Sequence, residues 1–376
     1  MKEKSMHPLI DKEKQKLAKR YRKDNRIVSI ISYIVTALLI FILLYFNGSK
    51  NLVAFLSNFT EARFIIILFY FAVFYFFYSL VTYPLAYIDG YSIEHKYAFS
   101  KQNFKDWFGD WLKSLFVGFV LGAIIFETIY LITYWSPHVW WLGLGLIMII
   151  FSVIISNLYP VLILPLFYKK SPIEDENLKE RISDMCNQTN IDIKGIYSIN
   201  LSSKSTKANA AVVGFGNTKS ILLGDTLIAN YTEDESISAL AHEITHFREH
   251  HIWWLIVWQS LITLVMFYVF HLIYPYIYGL VEFEKISDIA AFPLFAAIFG
   301  VLSFIFRPLT SSISRYYERR ADRGALKLTN DPSSFISLIA KFCNKQLAIA
   351  YPHPLIEWYS YSHPSPGKRI KFAENW

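Results

Sequence analysis

His242-Glu243-Ile244-Thr245-His246 is the stretch that decides how this 376-residue chain is read. Residues four apart on a helix share a face, so His242 and His246 can hold one Zn²⁺ between them. Glu243 then stands where it can take a proton from water activated by the metal. Upstream, Thr232-Glu233-Asp234-Glu235 is a capping box, with Thr232 as N-cap and Glu235 closing it. Downstream, no Gly or Pro interrupts the pattern before the apolar run 252–280 begins. The spacing predicts one long, rigid helix that carries both histidines and enters a bilayer, with hydrolysis at or inside the membrane.

Composition agrees. Hydrophobic residues make up 54% of the chain and charged residues only 18%, more apolar than an ordinary soluble domain. Six segments are long enough to span: 27–46, 64–88, 115–135, 140–166, 252–280 and 289–306. Trp253, Trp254 and Trp258 read as interfacial anchors. Glu127, alone in its apolar segment, reads as facing a protein interior or cavity. Segment 27–46 is not expected to be a cleaved signal peptide: the basic leader before it is long and no small-residue cleavage site follows it. Cys186 and Cys343 share no metal-ligand spacing and read as reduced packing residues. The net charge of +7 gathers near the N-terminus. It reads as a solvated basic helix; no nucleic-acid partner is expected.

Loop charge sets the expected orientation. Lys96, Lys101, Lys105 and Lys113 lie in one loop, Lys169 and Lys170 follow the fourth span, and Arg307, Arg315, Arg319, Arg320 and Arg323 follow the sixth. The alternate loops are poor in bases. The positive-inside rule then puts both termini and the zinc motif at the cytoplasmic face. Between 171 and 251 the chain is polar enough to leave the membrane. It reads as an amphipathic helix over 174–189 and strands over 193–200, 208–215 and Ser220–Gly224. The expected organisation is a basic cytoplasmic tail (1–26), an N-terminal membrane domain of about four spans (27–170), and a metallopeptidase portion (171–376) that includes the last two spans. The fold class is a multi-span α-helical integral membrane protein with a small α+β zincin-like part.

A catalytic zinc site needs a third protein ligand. His250 lies two turns from His242, about 12 Å along the axis, too far to share the ion. The Tyr317-Glu318-Arg319-Arg320-Ala321-Asp322 stretch follows the sixth span and returns to the same face. Glu318 is either an ion-pair partner of Arg315 or Arg319, or the third ligand; the histidine pair favours the ligand. Asp322, one turn on, can orient a ligating histidine.

Taken together, the motifs resemble the type I CAAX prenyl proteases, a membrane branch of the M48 zinc metallopeptidases. Ala239–His246 resembles that family's zinc helix and Ser314–Asp322 its third-ligand helix. Ala208-Asn209-Ala210 with Val213-Gly214, then Ser220–Leu227, resembles the preceding strand pair. Tyr361-Ser362-His363-Pro364 with Arg369 resembles the C-terminal segment that holds a catalytic histidine. In the membrane half, Ile93–Gln102 and Leu164-Pro165-Leu166-Phe167 with Ser171-Pro172-Ile173 match as well. The resemblance implies one Zn²⁺ per chain, an intramembrane chamber, and a peptide or membrane-associated protein substrate, with or without a lipid. It assigns His363 to the oxyanion. Asn209, Ala210 and Ala211 become an edge strand for extended substrate, and Arg369 is placed at the substrate. The chain departs from the family pattern at Thr245 and Ala98, where Gly is usual, and at Lys368, where an acid is usual. Six spans are counted, against seven described for eukaryotic members. His250, His251, His271 and His353 read as helix, interface or loop residues.

Three functions stay open on the sequence: a CAAX-type or lipopeptide-processing endopeptidase, a broad-specificity membrane quality-control protease, and a non-catalytic carrier of lipid or peptide. The intact metal and base residues argue against the carrier.

Overall fold

The structure, a computed structural model, describes residues 6–214, 219–278, 283 and 285–376. The ends of the expected strand 208–215 and of the expected span 252–280 lie outside these residues. Among the described residues, six helical stretches are long and apolar enough to cross a membrane.

The first is α1 (Lys12–Tyr45), opened by Asp11, whose carboxylate accepts from the Glu13 and Lys14 amides. Residues 12–26, expected as a solvated basic tail, are its first half. They are docked, with Gln15 and Ala18 buried. Gln15 exchanges hydrogen bonds of 2.9 Å with the backbone of Ala348 and Ala350, so the N-terminus is fastened to the C-terminal region. The short α2 (Gly48–Ser57) follows, then α3 (Arg63–Tyr87), a π segment (Ile88–Ile93) and α4 (Glu94–Lys96). α5 (Phe104–Trp135) is capped by Asn103. α6 (Trp140–Leu158) runs through a second π segment (Tyr159–Ile163) into α7 (Leu164–Phe167). Pro84 precedes the first π segment and Pro160 lies in the second; each removes an N–H from the helical ladder, a usual cause of such irregularity. Ala98 has φ 58°, a left-handed conformation that suits glycine.

The lipid-type faces of these helices are bare: Phe41, Phe77, Phe116 and Ile150 are all exposed. Their inward faces form aromatic clusters with later segments, where the Phe270 ring lies edge-on to both Trp140 and Phe295.

The second half opens with β1 (Lys170–Pro172), a strand absent from the sequence reading, and α8 (Glu176–Gln188). β2 (Gly195–Ile199), β3 (Ala210–Val213) and β4 (Ser220–Gly224) complete a sheet of order β1-β2-β4-β3. β4 pairs parallel to β2 and antiparallel to β3. It is buried along its whole length, as its unbroken Ile221-Leu222-Leu223 requires of a central strand. β3 lies at the end of the sheet. After α9 (Asp225–Asn230) comes α10 (Glu233–Arg248), whose predicted capping box forms in both directions.

One expectation fails here. The zinc-motif helix does not run on into the membrane. α10 ends, Glu249 caps it, His250 takes φ 55°, and α11 (His251–Tyr278) starts afresh. Histidine is among the residues enriched in this left-handed region, so the break needs no glycine and left no sequence signal. α12 (Phe292–Thr329) returns beside α11 and packs along α10 beyond it, and α13 (Pro332–Lys345), α14 (Pro354–Ser360) and α15 (Pro366–Glu374) close the domain. Ile182, Ile221, Leu223, Leu240, Ile244 and Phe335 form its buried core. Cys186 and Cys343 are free and buried in that core, as expected.

Candidate active site

α10 and α12 meet at three side chains. His242 Nε2 and His246 Nε2 lie 3.2 Å apart. Glu318 reaches across from α12, its Oε2 3.2 Å from His242 Nε2 and its Oε1 3.5 Å from His246 Nε2. Two ligands at about 2.0–2.1 Å from a tetrahedral Zn²⁺ stand about 3.3 Å apart, so these separations are the edges of such a tetrahedron. The donors match too. Two imidazole nitrogens point at one another, and among the described residues no hydrogen-bond donor is aligned on buried Glu318 Oε2. A cation satisfies all of them at once. Among the described residues, no other set of three His, Cys, Asp or Glu side chains offers such a site.

Asp322, one turn beyond Glu318 on α12, places Oδ1 2.9 Å from His242 Nδ1. It is buried and gripped by Arg369, whose Nε and Nη2 donate to its two oxygens at 2.9 and 2.6 Å. Arg369, expected at the substrate, therefore sits behind the histidine pair, on the far side of Asp322. Burial opposes protonation of His242, but the facing Asp322 and Glu318 carboxylates outweigh it and lift the pKa to about 9. The pocket is thus built for positive charge. Glu243, on the same helix and partly exposed, is pushed above the usual carboxyl range, chiefly by removal from water.

His363 completes the cluster. Its Nε2 lies 3.2 Å from Glu318 Oε2, while the ring stays 55% exposed, open to an incoming ligand. Its Nδ1 is 2.9 Å from Ser362 Oγ. Arg315, weighed as an ion-pair partner for Glu318, instead donates to the Glu357 and Tyr361 carbonyls and braces the loop that carries His363. Buried Glu357 fastens the same loop through the Ser365 amide at 3.0 Å and Lys368 at 2.9 Å. β3, with Ala210 and Ala211, packs beside α10. Asn209, just before it, accepts the Gly224 amide at 2.8 Å through its carbonyl.

His242, His246, Glu318, Asp322, His363 and Arg369 thus converge from three regions of the chain. The sequence reading missed His251. It is fully buried, with Nδ1 3.2 Å from His246 Nδ1. Two histidines in succession just after the motif were its only trace. His353 does what was expected of a loop residue, capping α14. His271 packs against Trp140. Glu127 is half-buried, and its buried Oε1 has no hydrogen-bond partner among the described residues.

Peptidase family M48 matches residues 172–376, more than half of the chain. The chain belongs to this family. The domain described as "CAAX prenyl protease N-terminal, five membrane helices" matches residues 2–169; here that stretch holds four membrane-length helical stretches and the short α2. An "Uncharacterized metalloprotease YhfN" of Bacillus subtilis is 29% identical over 95% of this chain and 85% of its own length. The "CAAX prenyl protease 1" of Saccharomyces cerevisiae is 29% identical over 78% of this chain and 68% of its own. The crystal structure of S. mikatae Ste24p superposes with a TM-score of 0.87 at 25% identity, covering 98% of this chain and 91% of that one. This M48 protein is a multi-pass membrane protein and a zinc-dependent endopeptidase. The carrier reading is set aside, and the quality-control reading is not favoured.

Proposed function

We propose that this M48 peptidase cleaves peptide segments of membrane-associated proteins, including lipidated C-terminal segments, at one Zn²⁺ held by His242, His246 and Glu318. The observation that carries the proposal is the tetrahedral spacing of those three donors. When bound, the ion supplies Lewis-acid polarisation of the scissile carbonyl and acidifies the attacking water.

The chain's own residues do the rest. Glu243 takes the water proton and returns it to the leaving amine; its elevated pKa brings it nearer to neutrality, where a general base works best. His363, exposed on the open side of the cluster, donates to the oxyanion. Substrate lies extended along the outer edge of β3 in the Asn209-Ala210-Ala211 stretch, where Ala210 turns its backbone groups outward while Asn209 and Ala211 pair with β4. Asp322 orients His242, and Arg369 holds Asp322, which favours a positioning role for Arg369 over direct substrate contact. The chain divides at 170/171 into membrane and peptidase portions, with both termini and the site on the cytoplasmic side.

The relatives named as CAAX prenyl proteases support a prenylated substrate. The test is digestion of one peptide in prenylated and unprenylated forms by purified protein, with Glu243→Gln as control. Faster cleavage of the prenylated form, abolished in Glu243→Gln with zinc retained, is expected. Equal rates on both forms would remove lipid recognition. Full turnover by Glu243→Gln would remove the base.

A further inference from the structure

The two histidines of the motif are supported unequally at first sight. His242 Nδ1 stands 2.9 Å from the Asp322 carboxylate. His246 Nδ1 faces another imidazole, that of His251, at 3.2 Å. The other nitrogen of His251, Nε2, lies 3.1 Å from Glu249 Oε2. Glu249 is in turn gripped by Arg320, with Nε at 2.9 Å and Nη2 at 2.8 Å. Each histidine therefore ends at a carboxylate held by an arginine: Asp322 with Arg369 for one, Glu249 with Arg320 for the other. The second chain has an imidazole inserted.

We propose that His251 is a positioning residue for the metal, which fixes the tautomer and ring orientation of His246 by relaying the Glu249 carboxylate to it. This rests on His246 being a ligand, as read above. For His246 to offer Nε2 to a cation, Nδ1 must carry the proton. His251 Nδ1 accepts that N–H only if its own proton sits on Nε2, and Glu249 accepts there. The chain of donors and acceptors has one consistent assignment, and the carboxylate at its end selects it.

The helix break is what makes the relay possible. On a continuous helix, residues five apart are turned by about 140° from one another, so His251 would point away from His246. The left-handed residue His250 turns the chain so that His251, the first residue of α11, folds back on the preceding turn. His251 has no exposed surface and packs against the Tyr317 ring at 5.0 Å. A non-glycine residue held at φ 55° is strained; here the strained position delivers a buried polar ring to the back of a ligand.

The test measures zinc affinity of full-length protein by competition with a chromogenic chelator, alongside the melting temperature of the zinc-free form. The set is wild type, His251→Phe, His251→Gln, Glu249→Ala and the His251→Phe/Glu249→Ala double variant. His251→Phe should bind zinc about 10–100-fold more weakly, with little change in zinc-free melting. Glu249→Ala should lose affinity in the same direction and add nothing to His251→Phe. His251→Gln, whose amide accepts and donates at once, should recover part of the loss. Wild type without zinc would sink the ligand set and this inference together. Wild type that binds zinc, matched by a folded His251→Phe, overturns this inference alone. If His251→Phe does not fold, Glu249→Ala decides: unchanged affinity there overturns the relay.

Discussion

Thr245 fills the space that Gly324 leaves empty: a Cβ at Gly324 would lie 2.2 Å from Thr245 Cγ2. Thr245 sits inside the zinc motif on α10, and Gly324 lies two residues beyond Asp322 on α12. The departure of this chain from the Gly usual at 245 thus has a partner across the helix pair, where α10 and α12 pack closely.

Gly324→Ala should therefore cost about 1–3 kcal/mol through overpacking of the α10–α12 contact. Adding Thr245→Gly should restore much of it, less the ~1 kcal/mol that a helical glycine costs. Thermal melts of both single variants and the double form a cycle. Additive losses would mean that the two positions do not share this space.

Glu318→Ala should empty the metal site, because the two remaining imidazoles leave the ion one protein ligand short. Zinc per chain, measured by elemental analysis, should fall from about one to well below it. Zinc content equal to that of wild type takes Glu318 out of the ligand set, whatever happens to activity.

His363→Ala should lower kcat by about 10²–10³, the usual cost of one oxyanion donor, and leave zinc content unchanged. His363 touches Glu318 but stays exposed, so its loss leaves the ligand set in place. An effect confined to KM would assign the residue to ground-state binding of substrate.

The outcome of each experiment bears on a different level of the chain, and these levels were not equally legible. The membrane helices and the start of α10 were readable because hydropathy and capping are local. Glu318 and Asp322 could be proposed from the sequence because they follow the sixth span and stand one turn apart on one helical face. The break at His250 was not, because it uses no Gly or Pro. β1 was not, because three residues ending in Pro172 make no alternating pattern. The Thr245–Gly324 contact and the fastening of Gln15 to Ala350 join residues distant in sequence, and no periodicity records them. His251 combined both difficulties: its role depends on an unmarked turn and on a partner chosen by packing.

Topology is the remaining expectation that labelling can decide. Basic loops alternate with base-poor ones along the six spans, which puts the peptidase portion and Ser203 on the cytoplasmic side and Asn58 on the other. Both residues are exposed, Asn58 just after α2 and Ser203 between β2 and β3. The two native cysteines are buried and free, and the surrounding core pushes the thiol pKa of Cys186 up to about 11 and that of Cys343 to about 12. Background reaction with a charged maleimide should therefore be low. In sealed vesicles of known orientation, Ser203→Cys should react only from the cytoplasmic face and Asn58→Cys only from the opposite one. Reaction of both from one side would break the six-span arrangement. Reaction of each from the reverse side would keep the spans but invert them, and would place the zinc helix, and the substrates it can reach, across the membrane from the cytoplasm.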